Sequence, residues 1–414
     1  MLQTTRNDAR IIVDTALKAA DPRAAVTQAL TNFSVSGRLF VVAIGKAGCT
    51  MAEAAYEVLG KDITQGIVIT KYHHGKQPFP GCKIFEAGHP IPDSNSLTAT
   101  AKVLSLTRNL SDKDQVIFLI SGGGSSLFEY LLPNISLKQL QSISAKLIQS
   151  GASIDEINCV RKHLSGVKGG RFAQWVAPAQ LTSLILSDVI GDKLDVIASG
   201  PSVADASTSR DARAVLHRYH IPVSPGVAVA IGQETPERLP PSRVIVVGNV
   251  DKMLYKAAET AELLGYQSHI MDDYLQREAH TEARKITQKA RTFAASNTKQ
   301  ALIWGGETVV KVRGSGVGGR CAHFALSAAP YIRGKENIVI VAVGSDGTDG
   351  PTDAAGGMID GTTTALLQQK QIEPADALRR FDSYSALKAI DQLIITGPTG
   401  TNVNDLYMVL IGER

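Results

Sequence analysis

The four cysteines, Cys49, Cys82, Cys159 and Cys321, lie far apart, and no C-x-x-C pair occurs. That argues against a disulfide framework or a structural zinc site and fits a reducing compartment. No apolar run approaches the roughly 18 residues that cross a bilayer, so no membrane partner is expected. The opening stretch MLQTTRNDARIIVDTALKAAD is charged and amphipathic, unlike a secretory leader, and the expected location is the cytoplasm. Charge of one sign is lacking too. The 43 basic and 39 acidic residues leave a net charge of +4, too balanced to point to nucleic acid. The Walker A pattern, the G-x-S-x-G elbow, the H-E-x-x-H zinc motif and the EF-hand spacing are all absent.

What is present is the grammar of an α/β protein. The 414 residues suffice for two or three domains, and 44% hydrophobic with 20% charged residues is ordinary for a soluble globular chain. Apolar runs at 39–44, 115–120, 181–186, 302–304 and 338–343 read as buried strands, several of them followed by a glycine-rich turn and a helix. This pattern predicts α/β architecture with parallel sheets covered by helices. A helix is expected over 8–31 with a break at Asp21-Pro22, and further helices over 137–150, 157–175 and 275–296. Ser136 and Gln139 form a capping box for the second of these. The polar, proline-rich GQETPERLPPSR (232–243) marks the expected boundary, giving domains 1–235 and 236–414.

The glycine turns carry the candidate chemistry. GKAG (45–48) follows a strand and precedes a helix, which is the geometry of an anion site, and Lys46 sits in that turn. SGGGSS (121–126) abuts a strand; Gly122, Gly123 and Gly124 let backbone amides approach a ligand, and Ser121 and Ser125 can donate to a carboxylate or phosphate. Arg161, Lys168 and Arg171 lie at i, i+7 and i+10 of the expected helix and would share a basic face. Asp188 falls at a strand's carboxyl end, where open α/β sheets place their ligands. Asn249 stands at a turn between strand and helix, and Asn402, Asn404 and Asp405 form a compact polar set between two strands. Plain readings compete: a solvated lysine at 46, a linker at 121–126, a solvated basic face, and turn chemistry at Asp188 and Asn249.

The stretch 302–360 is the centre of the reading. Gly314 to Gly319 form a glycine-rich loop that ends at Arg320 and a helix, so anion-binding amides and a guanidinium coincide. Glu307 precedes the loop, and GSDGTDGPTDAAGG (344–357) follows with Asp346, Asp349 and Asp353. Together they point to a phosphorylated ligand with a divalent metal. The loop also satisfies G-x-G-x-x-G, which keeps a dinucleotide site open, although the preceding TVVKVR is too charged for a first Rossmann strand.

These motifs resemble the glycerate 2-kinases of the MOFRL type, some of which carry the name hydroxypyruvate reductase. The matching runs are GKAG (45–48), GHPIPDSNS (88–96), LISGGGSSL (119–127), INCVRKHLSGVKGGR (157–171), SDVIGD (187–192), IASGPSVAD (197–205), GGET (305–308), RGSGVGGR (313–320), GSDGTDGPTDAAGG (344–357) and GPTGTNVNDL (397–406). The resemblance implies two α/β domains, the first Rossmann-like with a mostly parallel sheet, and an active site in the cleft between them. It implies ATP, Mg²⁺ and phosphorylation of D-glycerate at its 2-hydroxyl by a monomer or homodimer, with Lys46 and Arg320 as catalytic residues. Where the family usually carries Asn, a variable residue and Glu after GGR, this chain has Cys321, Ala322 and His323, which would alter affinity or substrate.

Phosphoryl transfer needs positioning and charge neutralisation, which these residues suit. Lys46 and Arg320 would stabilise the transferred group, while Glu307, Asp346 and Asp349 would hold Mg²⁺. Asp188 would join them or orient the attacking hydroxyl. The 121–125 loop with Arg161 and Lys168 would take the substrate carboxylate or a phosphate. Asn249, Gly316, Gly318, Gly319, Asn402 and Asn404 would take the nucleotide. Two alternatives stay open: an NAD(P)H-dependent hydroxypyruvate reductase, and a catalytically altered homologue that binds a sugar acid or nucleotide.

Overall fold

The computed structural model describes residues 2–293 and 298–413. The chain forms two compact units, Pro22–Val247 and Met1–Asp21 with Gly248–Arg414. Among the described residues no helix is long and apolar enough to cross a membrane.

The Pro22–Val247 unit is built on a six-stranded sheet. Its strands are β1 (Leu39–Ile44), β2 (Ile63–Lys71), β3 (Cys82–Ala87), β4 (Gln115–Ile120), β5 (Gln180–Leu186) and β6 (Ser242–Gly248), in the order β3-β2-β1-β4-β5-β6. The pairings of β1 with β2 and β4, of β2 with β3, and of β4 with β5 are all parallel. β1 and β4 are buried at every residue, which explains why their sequences are unbroken apolar runs. The order is that of a Rossmann sheet, and the strand direction of travel reverses between β1 and β4. Phe118, Phe128 and Phe172 interlock on one face with ring centroids 4.7–5.6 Å apart.

The other unit holds a second six-stranded sheet made of β7 (Gln267–Ile270), β8 (Gln300–Gly306), β9 (Ile338–Gly344), β10 (Gly356–Asp360), β11 (Leu393–Ile394) and β12 (Asp405–Ile411). Its order is β11-β10-β9-β12-β8-β7. Only β7 with β8 is parallel; the other pairings are antiparallel. The parallel sheet expected here is therefore mixed. β12, a fully buried strand that enters last, inserts antiparallel between β8 and β9, and β10 runs antiparallel to both β9 and β11.

The unit division differs from the expected boundary at 235/236. The proline-rich segment leads into β6, which adds to the edge of the first sheet beside β5, so the division falls at 247/248. The expected break at Asp21-Pro22 is present, between helices Leu2–Ala19 and Pro22–Leu30. It also separates the units. Helix Leu2–Ala19 buries Ala9, Ile12, Val13 and Ala16, and Tyr266 Oη donates to Asp8 Oδ2 at 2.8 Å. Arg6 pairs with Asp360.

The capping box at Ser136 and Gln139 is formed, and helix Leu137–Gln149 follows. The helix expected over 275–296 runs Ala279–Phe293, and residues 294–296 lie outside the described residues. The single helix expected over 157–175 is instead two, Ile154–Leu164 and Arg171–Val176. Gly169 and Gly170 between them have φ of +54° and +82°, and a Cβ on Gly170 would lie 2.9 Å from the Val203 carbonyl oxygen. The expected basic face does not exist. Arg161 Nε donates to Ser144 Oγ at 3.3 Å, and Arg171 Nη2 donates to the carbonyls of Gln233 and Glu234. Lys168 is fully buried, donating to Glu129 Oε2 at 2.7 Å and to the Phe128 carbonyl at 2.9 Å.

Lys168 is thus a structural cation, and burial holds its pKa below the usual lysine value. Removing either partner strands the other in the core. Lys168→Ala or Glu129→Ala is expected to cost about 3–5 kcal/mol, whereas Lys168→Met with Glu129→Leu recovers a large part of it. Thermal and urea unfolding of the three variants checks this; an unaffected single variant would show that the pair carries no stability.

Candidate active site

In the Pro22–Val247 unit the expected residues gather at the carboxyl ends of the strands. β1 and β4 are in register from Leu39↔Gln115 to Ile44↔Ile120, so their following turns emerge at the same level. The turns are stitched together: Lys46 N donates to the Gly122 carbonyl at 2.9 Å, and Ala47 N donates to Ser121 Oγ at 3.1 Å. Ser121 Oγ donates in turn to the Ile44 carbonyl at 3.1 Å, so this hydroxyl, expected to meet ligand, holds the two turns instead. Gly45 has φ +110°, and a Cβ there would fall 2.2 Å from Ser121 Oγ. Only glycine fits.

Lys46 is half-buried beside this seam. His89, which follows β3, brings its ring against Gly123, where a Cβ would lie 2.9 Å from His89 Cδ2. Burial, then the positive charges of Lys46 and Lys71, push the His89 pKa down to about 4, so the imidazole is neutral near pH 7. Ser125 Oγ is 2.8 Å from Ser199 Oγ, and Ser199 Oγ donates to Asn158 Oδ1 at 3.1 Å. Ala198 and Ser199 hold positive φ of 51° and 61°, a strained pair fixed by these contacts. Asp188 follows β5, half-buried. The first sheet therefore brings together Lys46, Gly122–Ser125, His89 and Asp188 at the carboxyl ends of its strands and the loops that follow, with Lys168 committed to Glu129.

In the other unit the organising feature is Arg320, at the start of helix Arg320–Ala328. Its Nε donates to Asp405 Oδ2 at 2.6 Å and its Nη2 to Asp405 Oδ1 at 2.8 Å, a two-pronged fork on a fully buried carboxylate. Its Nη1 lies 2.9 Å from Glu307 Oε1. Burial opposes the guanidinium charge, but the hydrogen bonds and charge of Asp405 outweigh it, and the pKa is raised. Tyr407 Oη donates to Asp405 Oδ2 at 2.9 Å and accepts from Thr308 N at 3.1 Å. Asn404 Nδ2 donates to Glu307 Oε2 at 3.1 Å. Asp405 and Tyr407 were not among the expected site residues. Asp405 stood in the polar set 402–405, but its partner is set by β12 lying between β8 and β9, where Asp405 pairs with Gly306 and Gly344.

Several expected ligands have protein partners. Asp349, expected on a metal, is 2% exposed and accepts from Cys321 N at 2.9 Å and Ala322 N at 2.8 Å, capping the helix that Arg320 begins. Burial, with Asp405 nearby, pushes its pKa up to about 6 against the pull of those two amides. Gly319 leaves room for it, since a Cβ would meet Asp349 Oδ1 at 2.2 Å. Gly316 N donates to the Arg380 carbonyl at 2.9 Å, and a Cβ on Gly318 would fall 2.3 Å from Ser383 Oγ. These glycines, expected on a nucleotide, are required by packing on 380–383. Residues 308–313 form one isolated bridge, Glu278↔Val309, not the first strand of a dinucleotide fold. Asn249 caps helix Val250–Leu263 by accepting from Lys252 N at 3.0 Å. Asp346 is half-buried and accepts from Thr348 N at 3.0 Å; Asn402 is half-buried. Among the described residues no group of three or more His, Cys, Asp or Glu side chains is arranged to hold a metal.

Two tests follow from this geometry. The His89 ring should titrate near pH 4, and Lys46→Met should raise that value while burial keeps it below the ordinary 6.5, as read by NMR of the histidine rings. An unmoved value would separate the two side chains. Asp405→Asn removes the charge that holds the Arg320 fork. Turnover should fall by roughly ten-fold or more as the guanidinium loses its orientation, which steady-state kinetics would read.

The motifs and geometry converge with what the chain is similar to. Residues 8–231 match the model described as a domain of unknown function (DUF4147), and residues 300–405 match the MOFRL family. A D-glycerate 2-kinase from Thermotoga maritima is 49% identical over 97% of both chains. A glycerate 2-kinase from Pyrococcus horikoshii is 39% identical over 97% of this chain and 96% of its own. The crystal structure of a glycerate kinase from Thermotoga maritima superimposes with a TM-score of 0.95 at 48% identity, covering 99% of this chain and 100% of that one. Hydroxypyruvate reductase also occurs among relatives' names. With both family models matched and such identity along nearly its whole length, the chain belongs to the glycerate 2-kinase family of the MOFRL type.

Proposed function

We propose that this chain transfers the γ-phosphoryl group of ATP to the 2-hydroxyl of D-glycerate. The observation that carries the reading is the 49% identity to a D-glycerate 2-kinase over 97% of both chains. The Arg320 fork adds a physical reason. A guanidinium pre-oriented by a buried carboxylate suits charge on a phosphoryl group in transit, because little reorganisation is needed as the charge develops. The reductase alternative loses its sequence support, since Gly316 and Gly318 pack on 380–383.

On this reading Lys46 supplies a second cation through its side chain, because the amides of its turn are bonded to the protein. The loop Gly122–Ser125 takes the substrate carboxylate. Asp188, at the end of β5, orients the attacking hydroxyl and accepts its proton. Lys168 drops out of the binding set, because Glu129 engages it, while Arg161, bonded to Ser144 through Nε alone, stays in it. Asn402, half-buried, remains assigned to the nucleotide, whereas Asn404 is 3% exposed and holds Glu307 in place. Magnesium takes one or two protein carboxylates and keeps waters and phosphate oxygens for the rest. Glu307, 49% exposed, and half-buried Asp346 fit that demand; capped Asp349 does not. When bound, Mg²⁺ neutralises phosphate charge, and Glu307 and Asp346 would hold it directly or through water.

A paired assay on the purified chain tests the reading. One arm follows ADP release from Mg-ATP and D-glycerate, with the phosphate position read by NMR; the other follows NADH or NADPH oxidation with hydroxypyruvate. Turnover in the first arm alone is expected, and turnover in the second alone would overturn the proposal. Lys46→Ala and Arg320→Ala should each lower kcat on the order of 10²-fold or more. Unfolding measurements must accompany Arg320→Ala, because it leaves buried Asp405 without its cation.

A further inference from the structure

A cavity of about 510 Å³ opens in the second unit, away from the Arg320–Asp405–Glu307 group in that none of its lining residues belongs to it. Lys311, Arg313 and Arg379 line it as three cations against one acid, Glu278. Arg379 also pairs with Asp376, but Lys311 and Arg313 have no acidic partner among the described residues. Uncompensated cations facing one concavity repel one another unless an anion joins them.

The floor of the cavity is more specific than its rim. His323 is 8% exposed, and its Nδ1 is buried with no hydrogen-bond partner. Its ring stacks on Phe381, centroids 5.3 Å apart at 29°. Nδ1 is turned into the protein, so a ligand in the cavity meets the other edge of the ring, which lines it. Burial also holds the His323 pKa below its ordinary value, which leaves a neutral imidazole among the cations. Leu378 supplies an apolar part of the lining, and Glu278 its one carboxylate acceptor.

We propose that this cavity is a binding site for a phosphorylated small molecule: the phosphate meets Lys311, Arg313 and Arg379, and His323 hydrogen-bonds the ligand from below. A doubly charged phosphate matches an ammonium and two guanidinium forks better than a single carboxylate does. The volume suits a ligand of sugar-phosphate size. A hydroxyl on the organic part would donate to Glu278. The proposal does not depend on the kinase reading, because it uses none of the residues assigned to phosphoryl transfer.

The test is a titration of the full chain, labelled with ¹⁵N-histidine, with inorganic phosphate and separately with ribose 5-phosphate. The His323 resonances are assigned by their loss in His323→Gln. Saturable movement of those resonances is expected with at least one ligand. It should weaken roughly tenfold or more in Lys311→Ala/Arg313→Ala, as loss of charge-assisted hydrogen bonds does. Tighter response to ribose 5-phosphate would identify an organic phosphate as the ligand, and equal response would identify phosphate itself. No saturable movement with either, or an undiminished response in the double variant while its unfolding midpoint is unchanged, would overturn the proposal.

Discussion

The second unit is arranged around one ion pair. Arg320 begins a helix, Asp405 begins the last strand, and they meet because β12 enters between β8 and β9 with Asp405 opposite Gly306 and Gly344. A carboxylate this buried is costly without partners. Arg320 supplies two hydrogen bonds and a charge, and Tyr407, itself held by Thr308, supplies a third bond. The guanidinium is left with Nη1 for Glu307. Its position is therefore inherited from the sheet and not from the mobile geometry of a surface arginine.

The first unit solves the same problem with backbone. Parallel strands in phase bring the β1 and β4 turns level, and the Lys46 and Ala47 amides lock one turn to the other. Glycine is needed at 45 because the Ser121 hydroxyl occupies the space a side chain would take. A seam this tight fixes where Lys46 leaves the backbone and where Gly123 presents itself to His89.

Much of this was legible in the chain. β1, β4, β8 and β9 read as buried strands because both faces are covered, leaving no polar alternation to confuse them. The glycine turns after them, and the residues in those turns, were also visible. What was not legible depends on contacts distant in sequence. Nothing local says that Val203 and Tyr130 crowd Gly170 and Gly166 and so divide the expected helix 157–175. Nothing local says that Glu129 takes Lys168, or that Asp349 turns from a metal role to cap a helix. The glycines of G-x-G-x-x-G illustrate the general difficulty. They report that something approaches the backbone closely, but not whether it is a phosphate or residues 380–383. Edge strand β6 was assigned past the boundary because proline-rich segments mark the ends of elements as readily as the ends of domains.

Helix Leu2–Ala19 belongs to the unit completed by Gly248–Arg414, with all of Pro22–Val247 interposed. During synthesis, that helix is made before the interposed unit and finds its partners only after it. Its apolar stripe, Ala9, Ile12, Val13 and Ala16, stays uncovered until helix Val250–Leu263 and the second sheet exist. The closing entropy of so long an intervening loop is modest, rising only about 0.6 kcal/mol per doubling of length. The delay is instead one of exposure: a nascent amphipathic segment must remain soluble, or be shielded, while the interposed unit folds. The same topology makes the extreme N-terminus an integral part of the half of the protein that carries Arg320, so trimming it would be felt there and not in the sheet that follows it in the chain.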